Sequence, residues 1–253
     1  MSTTPPAAQS ATYGGITPDT NKAPAKIAGM FDAIAGRYDL LNHVLSGGQD
    51  LYWRWRAVRR LRLTGREQVL DLCTGTCDVA RSMVKRRLAR RVLGIDFSSE
   101  MLRVGRRKLQ AEGRSGVIPL VRGDAMRLPA ASASMDAVTI AFGIRNVQDA
   151  SVALGEVARV LKPGGRLAIL EFSTPPYPLV RQAYLWYFRN VLPRLGRLVS
   201  RHGEAYAYLP ASVESFTPPA DFLRQLGAAG LTRCEAVPLT FGVVYLYVAE
   251  RPA

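Results

Sequence analysis

The sequence predicts an α/β domain built on a seven-stranded, mostly parallel sheet. Between residues 66 and 173, short apolar runs alternate with single helical segments, and this alternation is typical of βαβ units. The last two predicted strands, "TRCEAVPL" and "GVVYLYVAE", adjoin without a helix between them. Because a short connection joins antiparallel neighbours, we expect the sheet to end in an antiparallel strand.

The chain divides into regions of different composition. Residues 1–25 are small, polar and rich in proline, which predicts a disordered tail. Residues 26–64 place apolar side chains at helical spacing and predict an N-terminal helical cap. The sheet domain then covers 65–253 and is interrupted over 174–217 by an aromatic-rich helical insert. The tail lacks the apolar core of a signal peptide, and no apolar run approaches the ~18 residues of a membrane span, so we expect a cytoplasmic protein.

The elements of the sheet domain follow in order. Each strand is a short apolar run bounded by turn-forming residues, and each helix begins near a capping residue, such as Ser98 or Ser99. The predicted parallel strands are "QVLDL" (68–72), "RVLGID" (91–96), "GVIPLVRGD" (116–124), "MDAVTIAFG" (135–143) and "GGRLAILEF" (164–172). The predicted helices are 78–88, 99–112, 150–161 and 220–230.

The stretch "VLDLCTGTCDVA" (69–80) joins the first strand to the first helix of this domain. A dinucleotide-binding loop needs G-x-G-x-x-G here, because its backbone must approach a pyrophosphate. Only Gly75 remains at the tightest point, and we expect Cys73 and Cys77 to be small packing residues. S-adenosylmethionine (SAM) has no phosphate and needs a close turn without a diphosphate cradle. With the strand order, the loop favours the Rossmann-like fold of class I SAM-dependent methyltransferases.

An aspartate ends each of the first three predicted strands. Asp71, Asp96 and Asp124 should meet at the carboxyl edge of the sheet, where open α/β sheets bind ligands. Asp96 suits a ribose diol, although NAD and SAM share that ribose, and Asp124 with Ala125 suits the adenine amino group. We therefore predict SAM as the cofactor. Two histidines and the absence of C-x-x-C predict no metal site.

Two longer motifs are specific. "RVLKPGGRLAILEFS" (159–173) fits the pattern R-V-x-K-P-G-G-x-x-x-x-x-E-x-S throughout. "YDLLNHVLSGGQDLYW" (38–53) fits Y-D-x-M-N-x-x-x-S-x-x-x-H-x-x-W with two departures, because Leu41 replaces methionine and Asp50 replaces histidine. The second departure removes the histidine of that motif.

Two further stretches, "FGIRNVQD" (142–149) and "AYAYLPASVESF" (205–216), complete a family resemblance. From about residue 30 to residue 248, the chain closely resembles the UbiE/MenG family of ubiquinone/menaquinone biosynthesis C-methyltransferases. The resemblance implies methyl transfer from SAM to a ring carbon of a polyprenylated quinol. The implied cofactor contacts are Thr76, Asp96, Asp124 and Ala125, and Ala141, where the family often has serine, would contact SAM only through its backbone.

The implied reaction needs a group that takes or stabilises charge when the hydroquinone ionises. Neither histidine is a convincing base. Arg145 follows the fourth strand, where it would stabilise a phenolate or orient a water, unless it only forms an ion pair that holds its loop. Tyr38 and Asp39 would bridge to the quinol hydroxyls, and the alternative for Tyr38 is helix packing.

The resemblance leaves two substrates open, demethylmenaquinol and a demethylated ubiquinol precursor. The departures at Leu41 and Asp50 favour conversion of demethylmenaquinol to menaquinol. The alternatives from other classes are a basic RNA-binding methyltransferase and a non-catalytic scaffold. No N-P-P-Y-type motif follows the fourth strand, so we expect no nucleic-acid partner. Whether the chain acts alone or as a homodimer stays open.

The net charge of +14 indicates an anionic partner surface or, alternatively, a solvated basic face. The segment 172–203 has no Asp or Glu, and it combines arginines with aromatic residues. Such helical segments bind anionic bilayers. We predict that the insert docks on the inner face of the cell membrane and admits the prenyl tail, with Arg181, Arg189, Arg194, Arg197, Arg201, Tyr184, Trp186, Tyr187 and Phe188 as its basic and aromatic residues.

Overall fold

The structure is a computed structural model that describes residues 22–191 and 203–253. The predicted tail lies largely outside the described residues, and Pro24 already begins the first helix. Arg194, Arg197 and Arg201 of the predicted membrane insert also lie outside them.

The sheet has seven strands in the order β3-β2-β1-β4-β5-β7-β6. The first five strands are parallel, and β7 lies antiparallel to both β5 and β6. This topology confirms the predicted fold class and the antiparallel end of the sheet. The strands are β1 (Gln68–Leu72), β2 (Arg91–Asp96), β3 (Leu120–Arg122), β4 (Met135–Ala141), β5 (Leu161–Phe172), β6 (Thr232–Leu239) and β7 (Val244–Glu250).

Helices cover both faces of the sheet, and a group of helices precedes it. Ser98, rather than Ser99, caps α5, because its hydroxyl accepts a hydrogen bond from the Met101 N–H at 3.1 Å. The helices are α1 (Pro24–Ile34), α2 (Tyr38–Leu45), α3 (Gln49–Arg60), α4 (Asp78–Lys85), α5 (Ser99–Ala111), α6 (Ala150–Val160), α7 (Pro178–Trp186), α8 (Gly203–Glu214) and α9 (Pro219–Ala228).

The side chains of each strand alternate between two hydrophobic cores. Leu70 and Leu72 of β1 face the core that contains Phe222 of α9, whereas Val69 faces the core that contains Trp53 of α3. The second core attaches the N-terminal helices to the sheet. These helices therefore have a fixed position beside the carboxyl ends of the strands.

Two strands differ in length from the sequence prediction. The third strand is short because Pro119 has no N–H to donate to the ladder, and β3 begins only at Leu120. The fifth strand begins at Leu161, directly after α6, although "PGG" (163–165) predicts a turn. A register shift between Met135 and Ala137 of β4 accommodates those residues as an irregularity within the strand pair.

Candidate active site

The loop after β1 makes its turn with three left-handed residues. The φ angles are 54° at Cys73, 55° at Gly75 and 72° at Cys77. Non-glycine residues seldom adopt this region, so both cysteines occupy backbone positions that glycine favours. The Thr74 N–H donates to the Ile95 carbonyl oxygen at 3.0 Å, which fixes the turn against the end of β2.

Small neighbours explain why cysteine fits in this loop. A Cβ added at Gly143 would lie 2.3 Å from Cys73 Cβ, and one added at Gly105 would lie 2.5 Å from Cys77 Sγ. Burial raises the pKa of the Cys73 thiol well above its ordinary value and raises that of Cys77 to about 12. Both thiols are therefore protonated packing groups at neutral pH.

A cavity of about 780 Å³ lies over this loop at the carboxyl edge of the sheet. Helix α1 contributes Ile27 and Phe31 to its wall, and Phe97, Phe142 and Met126 make much of the remainder apolar. Six of the predicted site residues line this cavity: Tyr38, Gly75, Asp96, Asp124, Ala125 and Ala141.

Asp96 retains acceptor capacity at the cavity wall. Its Oδ2 accepts a hydrogen bond from the Gly75 N–H at 2.8 Å, and its Oδ1 accepts one from the Ser98 N–H at 2.8 Å. Burial raises the pKa of this carboxyl, and the backbone hydrogen bonds oppose that shift. A carboxylate has about four lone-pair sites, so each oxygen can still accept one hydroxyl of a diol.

The opposite part of the wall suits a flat, largely apolar group. Asp124 is held in place because its Oδ1 accepts a hydrogen bond from the Met126 N–H at 2.9 Å. Ala125 and Ala141 expose little polar surface apart from their backbone. The residues present therefore fit the adenosine part of SAM, with carboxylates for its ribose and amino group and apolar walls for its base.

Asp71 and Thr76 lie behind the cavity wall. Asp71 is buried, and its Oδ2 accepts hydrogen bonds from the Thr74 hydroxyl at 2.5 Å and the Ala80 N–H at 3.2 Å. Burial raises the pKa of Asp71 to about 7. The Thr76 hydroxyl donates to Asp39 Oδ1. Asp71 and Thr76 were predicted to contact the cofactor. In the structure, their side chains form hydrogen bonds that hold the loop in place.

Asp39 also lies away from both cavities, although it neighbours Tyr38 in sequence. It contacts Thr76 and forms an ion pair with Lys108. Successive residues of a helix point about 100° apart, and of the two only Tyr38 lines these cavities. A bridge from Tyr38 and Asp39 to the quinol hydroxyls stays a prediction.

A second, mostly apolar cavity of about 860 Å³ adjoins the first. Its wall comes from α1, α2 and α3, together with Phe172, Phe188 and Tyr208. Tyr38 and Phe142 line both cavities, so they lie where a group would pass from one to the other. Burial raises the pKa of Tyr38, which therefore stays a neutral hydroxyl at physiological pH.

Arg145 lines the second cavity and also holds its own loop. Its Nη1 lies 2.6 Å from Glu171 Oε1 and 2.9 Å from the Phe142 carbonyl oxygen. Burial opposes the charge of Arg145, but the Glu171 carboxylate outweighs it and raises the pKa of the guanidinium. The ion pair that the sequence offered as the alternative is present, and Arg145 also lines the cavity, so its role toward a phenolate stays a prediction.

A second arginine–carboxylate pair lines the same cavity. Asp50 is buried, with Oδ2 lying 2.8 Å from His43 Nδ1 and 3.6 Å from Arg54 Nε. Neither Arg54 nor Glu171 was among the predicted site residues. Glu171 had a signal, because it lies in a family motif and one residue from the end of β5. Arg54 also had a signal, because it lies four residues after Asp50 on the same helix.

Each of the two arginines lies beside one ring of an aromatic pair. The Phe142 and Phe172 rings have centroids 4.7 Å apart. Arg54 Cζ lies 5.9 Å from the Phe142 centroid, and Arg145 Cζ lies 5.6 Å from that of Phe172. The second cavity is thus lined by two aromatic rings and by the cation that accompanies each ring.

Within 22–191 and 203–253, no helix is long and apolar enough to cross a bilayer. The same residues include no group of three or more His, Cys, Asp or Glu side chains that could hold a metal ion.

Comparisons with known proteins agree with this geometry. The model of the ubiE/COQ5 methyltransferase family matches residues 19–251. The chain is 47% identical to the demethylmenaquinone methyltransferase of Thermus thermophilus over 88% of this chain and 100% of that protein. It is 49% identical to the ubiquinone/menaquinone biosynthesis C-methyltransferase UbiE of Syntrophotalea carbinolica, over 86% of this chain and 91% of the relative.

A solved structure shares the fold at low sequence identity. A putative methyltransferase of Haloferax volcanii, in complex with its Trm112 activator, superposes with a TM-score of 0.62 and 20% identity, over 88% of this chain and 98% of the other. The family match covers most of the sequence and includes both motifs that carried the resemblance. The chain therefore belongs to the ubiE/COQ5 methyltransferase family and is a SAM-dependent methyltransferase.

Proposed function

We propose that this protein transfers a methyl group from SAM to a ring carbon of demethylmenaquinol and so forms menaquinol. The observation that carries the proposal is the pair of adjoining cavities that share Tyr38 and Phe142. One cavity has carboxylates for a nucleoside, and the other has two aromatic rings, each with an arginine beside it. The similar proteins named as demethylmenaquinone methyltransferases support the choice of substrate.

The residues of the first cavity hold and orient the methyl donor. Asp96 accepts hydrogen bonds from the ribose hydroxyls, and Asp124 with the Ala125 backbone contacts the adenine. Gly75 allows the loop to approach closely, while Asp71 and Thr76 keep that loop in place. When bound, SAM supplies an activated methyl group, which these contacts direct toward the second cavity.

The residues of the second cavity bind and polarise the quinol ring. Phe142 and Phe172 stack against it, and Arg145 places a positive charge beside one of its oxygens. That charge stabilises the phenolate that makes the neighbouring ring carbon nucleophilic. Tyr38 donates a hydrogen bond at the junction, because its buried hydroxyl stays protonated.

Methylation of a short-chain demethylmenaquinol tests this proposal. Product should form in the presence of a reductant and should not form from the oxidised quinone, because only the quinol has an electron-rich ring carbon. Equal rates with and without reductant would contradict the mechanism. A demethylated benzoquinol assayed beside it, and quinone profiling of a complemented host that lacks its own enzyme, would separate the menaquinone pathway from the ubiquinone pathway.

We also propose that the segment after β5 docks on an anionic membrane surface, where the prenylated substrate resides. Helix α7 has no buried residue, and Leu179 and Trp186 are 81% and 62% exposed. Tyr177 before the helix is also exposed. The segment carries Arg181 and Arg189, so apolar groups and positive charges occur together.

Three of the aromatic residues expected at the membrane have other partners. Phe188 is buried against Val213, and Tyr184 packs on Phe188 with ring centroids 4.1 Å apart. The Tyr187 hydroxyl donates to the Leu45 carbonyl oxygen at 3.1 Å. These side chains attach the segment to the second cavity, and Trp186 remains as the exposed aromatic of the helix.

Liposome co-sedimentation tests the docking proposal. Binding should require anionic lipid and fall with salt. It should drop in the double variant Leu179→Ser with Trp186→Ser. It should also drop in the triple variant in which Arg194, Arg197 and Arg201 become Gln. Val152→Ser is the matched control, since Val152 is 47% exposed on α6, outside the segment. Wild-type protein that ignores anionic vesicles at low salt would reject membrane docking.

A further inference from the structure

The second cavity is lined by a carboxylate to which the proposed function assigns no role. Asp50 is 3% exposed and lies on the wall of that cavity. A buried carboxylate is costly unless it is paired, and Asp50 has partners on one side only. His43 Nδ1 lies 2.9 Å from Oδ1, and the Ser46 hydroxyl donates to Oδ1 at 3.0 Å.

The other oxygen of Asp50 keeps acceptor capacity toward the cavity. Oδ2 receives only the second contact of His43 Nδ1, at 2.8 Å, and the more distant charge of Arg54 at 3.6 Å. Arg54 Nε is itself buried and has no hydrogen-bond partner among the described residues. A free acceptor and an unused donor thus lie together at one wall, which is the pairing that a hydroxyl group satisfies.

We propose that Asp50 accepts the hydroxyl proton of the quinol and that Arg54 stabilises the oxygen left behind. This inference rests on the proposed function. The cavity wall carries two arginines, Arg54 beside Phe142 and Arg145 beside Phe172. Their positive charges then stabilise the oxygen that loses its proton to Asp50.

The steps balance with groups that the protein and its substrates supply. The quinol O–H bond breaks, and its proton goes to Asp50 Oδ2. The adjacent ring carbon then forms a C–C bond to the methyl group, and the electron pair of the broken C–S bond stays on sulfur. The methylated carbon loses its hydrogen as a proton, and the oxygen regains one, so each turnover releases one proton.

His43 is a positioning residue in this scheme. Its side chain is 39% exposed, and its Nδ1 faces both oxygens of Asp50. A hydrogen bond from Nδ1–H fixes the carboxylate with Oδ2 toward the cavity. The family motif has histidine at position 50, where this chain has aspartate. Here the imidazole comes from His43, seven residues earlier. In this scheme the Asp50 carboxylate faces the substrate.

Asp50→Asn tests the proton-acceptor role, because amide nitrogen and oxygen preserve size but remove the base. We expect kcat for quinol methylation to fall by about 10²–10⁴-fold with unchanged SAM affinity by calorimetry. A quinol analogue acidified by a halogen, which ionises without a base, should restore much of the rate in Asp50→Asn.

A second variant keeps the test independent of how Asp50→Asn folds. His43→Ala should lower kcat less than Asp50→Asn does, and the acidified analogue should again restore the rate. Asp78→Asn is the matched control, because Asp78 Oδ2 lies 3.7 Å from Arg54 Nη1 but is not on the cavity wall.

The possible outcomes separate this inference from the proposed function. If kcat of a folded Asp50→Asn protein stays within about threefold of wild type, or falls without rescue by the acidified analogue, the proton-acceptor role is overturned. If Asp50→Asn does not fold, His43→Ala without loss or without rescue overturns it. Wild-type protein that binds SAM but methylates no quinol overturns the proposed function, and this inference with it.

Discussion

The two cavities differ in how the chain builds them. Strand ends and the loops that follow them form most of the first cavity, and its polar groups lie at sites that sheet topology brings together. Side chains from three N-terminal helices, the end of β5 and helix α8 form the second, and they are far apart in sequence. The first cavity depends mainly on backbone geometry, whereas the second depends on buried ion pairs, one within α3 and one between Arg145 and the end of β5.

This comparison predicts that the second cavity is the more fragile to a change of charge. Glu171 has no exposed surface, and it holds Arg145 by an ion pair of 2.6 Å. Glu171→Gln would leave the buried guanidinium without its counter-charge, and we expect unfolding free energy to fall by about 3–5 kcal/mol. Denaturant titration of wild type and Glu171→Gln measures this loss of unfolding free energy.

The control for Glu171 is a similar change at an exposed pair. Asp221 forms an ion pair with Arg224 on the surface of α9, and Asp221→Asn should cost less than about 1 kcal/mol. Equal losses in the two variants would mean that burial does not distinguish them, and the contrast between the cavities would lose its energetic basis.

Asp71, behind the wall of the first cavity, is a buried carboxyl whose charge works against folding. The pKa of Asp71 is raised by burial to about 7 in the folded chain, from an ordinary value of 3.8. Its neutral form thus contributes stability that is fully present below about pH 4 and is lost as pH rises through about 7. The loss is on the order of 4 kcal/mol, because each pKa unit corresponds to about 1.4 kcal/mol.

Asp71→Asn isolates this pH dependence. The amide oxygen can still accept the hydrogen bonds from Thr74 and Ala80, but it cannot ionise. The melting temperature should therefore fall less steeply between pH 4 and pH 8 in Asp71→Asn than in wild type. Parallel curves for the two proteins would show that Asp71 does not titrate in this range.

Arg145→Ala tests whether the ion pair of the second cavity also serves the reaction. We expect kcat to fall by about 10²–10³-fold, because the charge beside the quinol oxygen is lost. Arg145→Lys should recover little, since one ammonium cannot reproduce the contacts of the fork to Glu171, Phe142 and Ser212. Arg181→Ala, on the adjoining helix, is the control.

A result for Arg145 that separates structure from catalysis is a normal kcat with lowered thermal stability. That outcome would assign the arginine to loop packing alone. Unchanged SAM affinity in the variant, measured by calorimetry, would show in either case that the first cavity is intact.

The same contrast explains what the sequence could and could not predict. Asp96, Asp124 and Gly75 were predictable because parallel strands bring their carboxyl ends to one edge, whatever the details of packing. The directions of Asp39 and Thr76 were not, since neighbouring helix positions point apart and the partner of Thr76 comes from α2. The pairing of Arg145 with Glu171, which lie on different elements, was likewise not predictable, whereas Asp50 and Arg54 lie four positions apart on α3, the spacing of a helical ion pair.

The backbone conformation of the two loop cysteines could not be predicted from the sequence. Cys73 and Cys77 were expected to be small packing residues, and they also adopt the left-handed conformation that glycine favours. The compensating small residues are Gly143 and Gly105, which no local pattern connects with the loop. Complementarity of this kind depends on contacts between distant segments.

Asp96→Ala is the sharpest test of the first cavity and carries the smallest of these effects. Removing the carboxylate deletes the acceptor for the ribose, and we expect SAM binding to weaken by about 2–3 kcal/mol, the scale of hydrogen bonds to a charged group. It also frees the Gly75 and Ser98 N–H groups, so part of the loss comes from the loop. Asp96→Asn, which can keep an acceptor for one of these N–H groups, should lose less than Asp96→Ala. Calorimetry on folded protein measures both, and unchanged affinity in Asp96→Ala would mean that the nucleoside binds elsewhere. The quinol cavity should retain its stability in either variant, because its ion pairs do not involve β2.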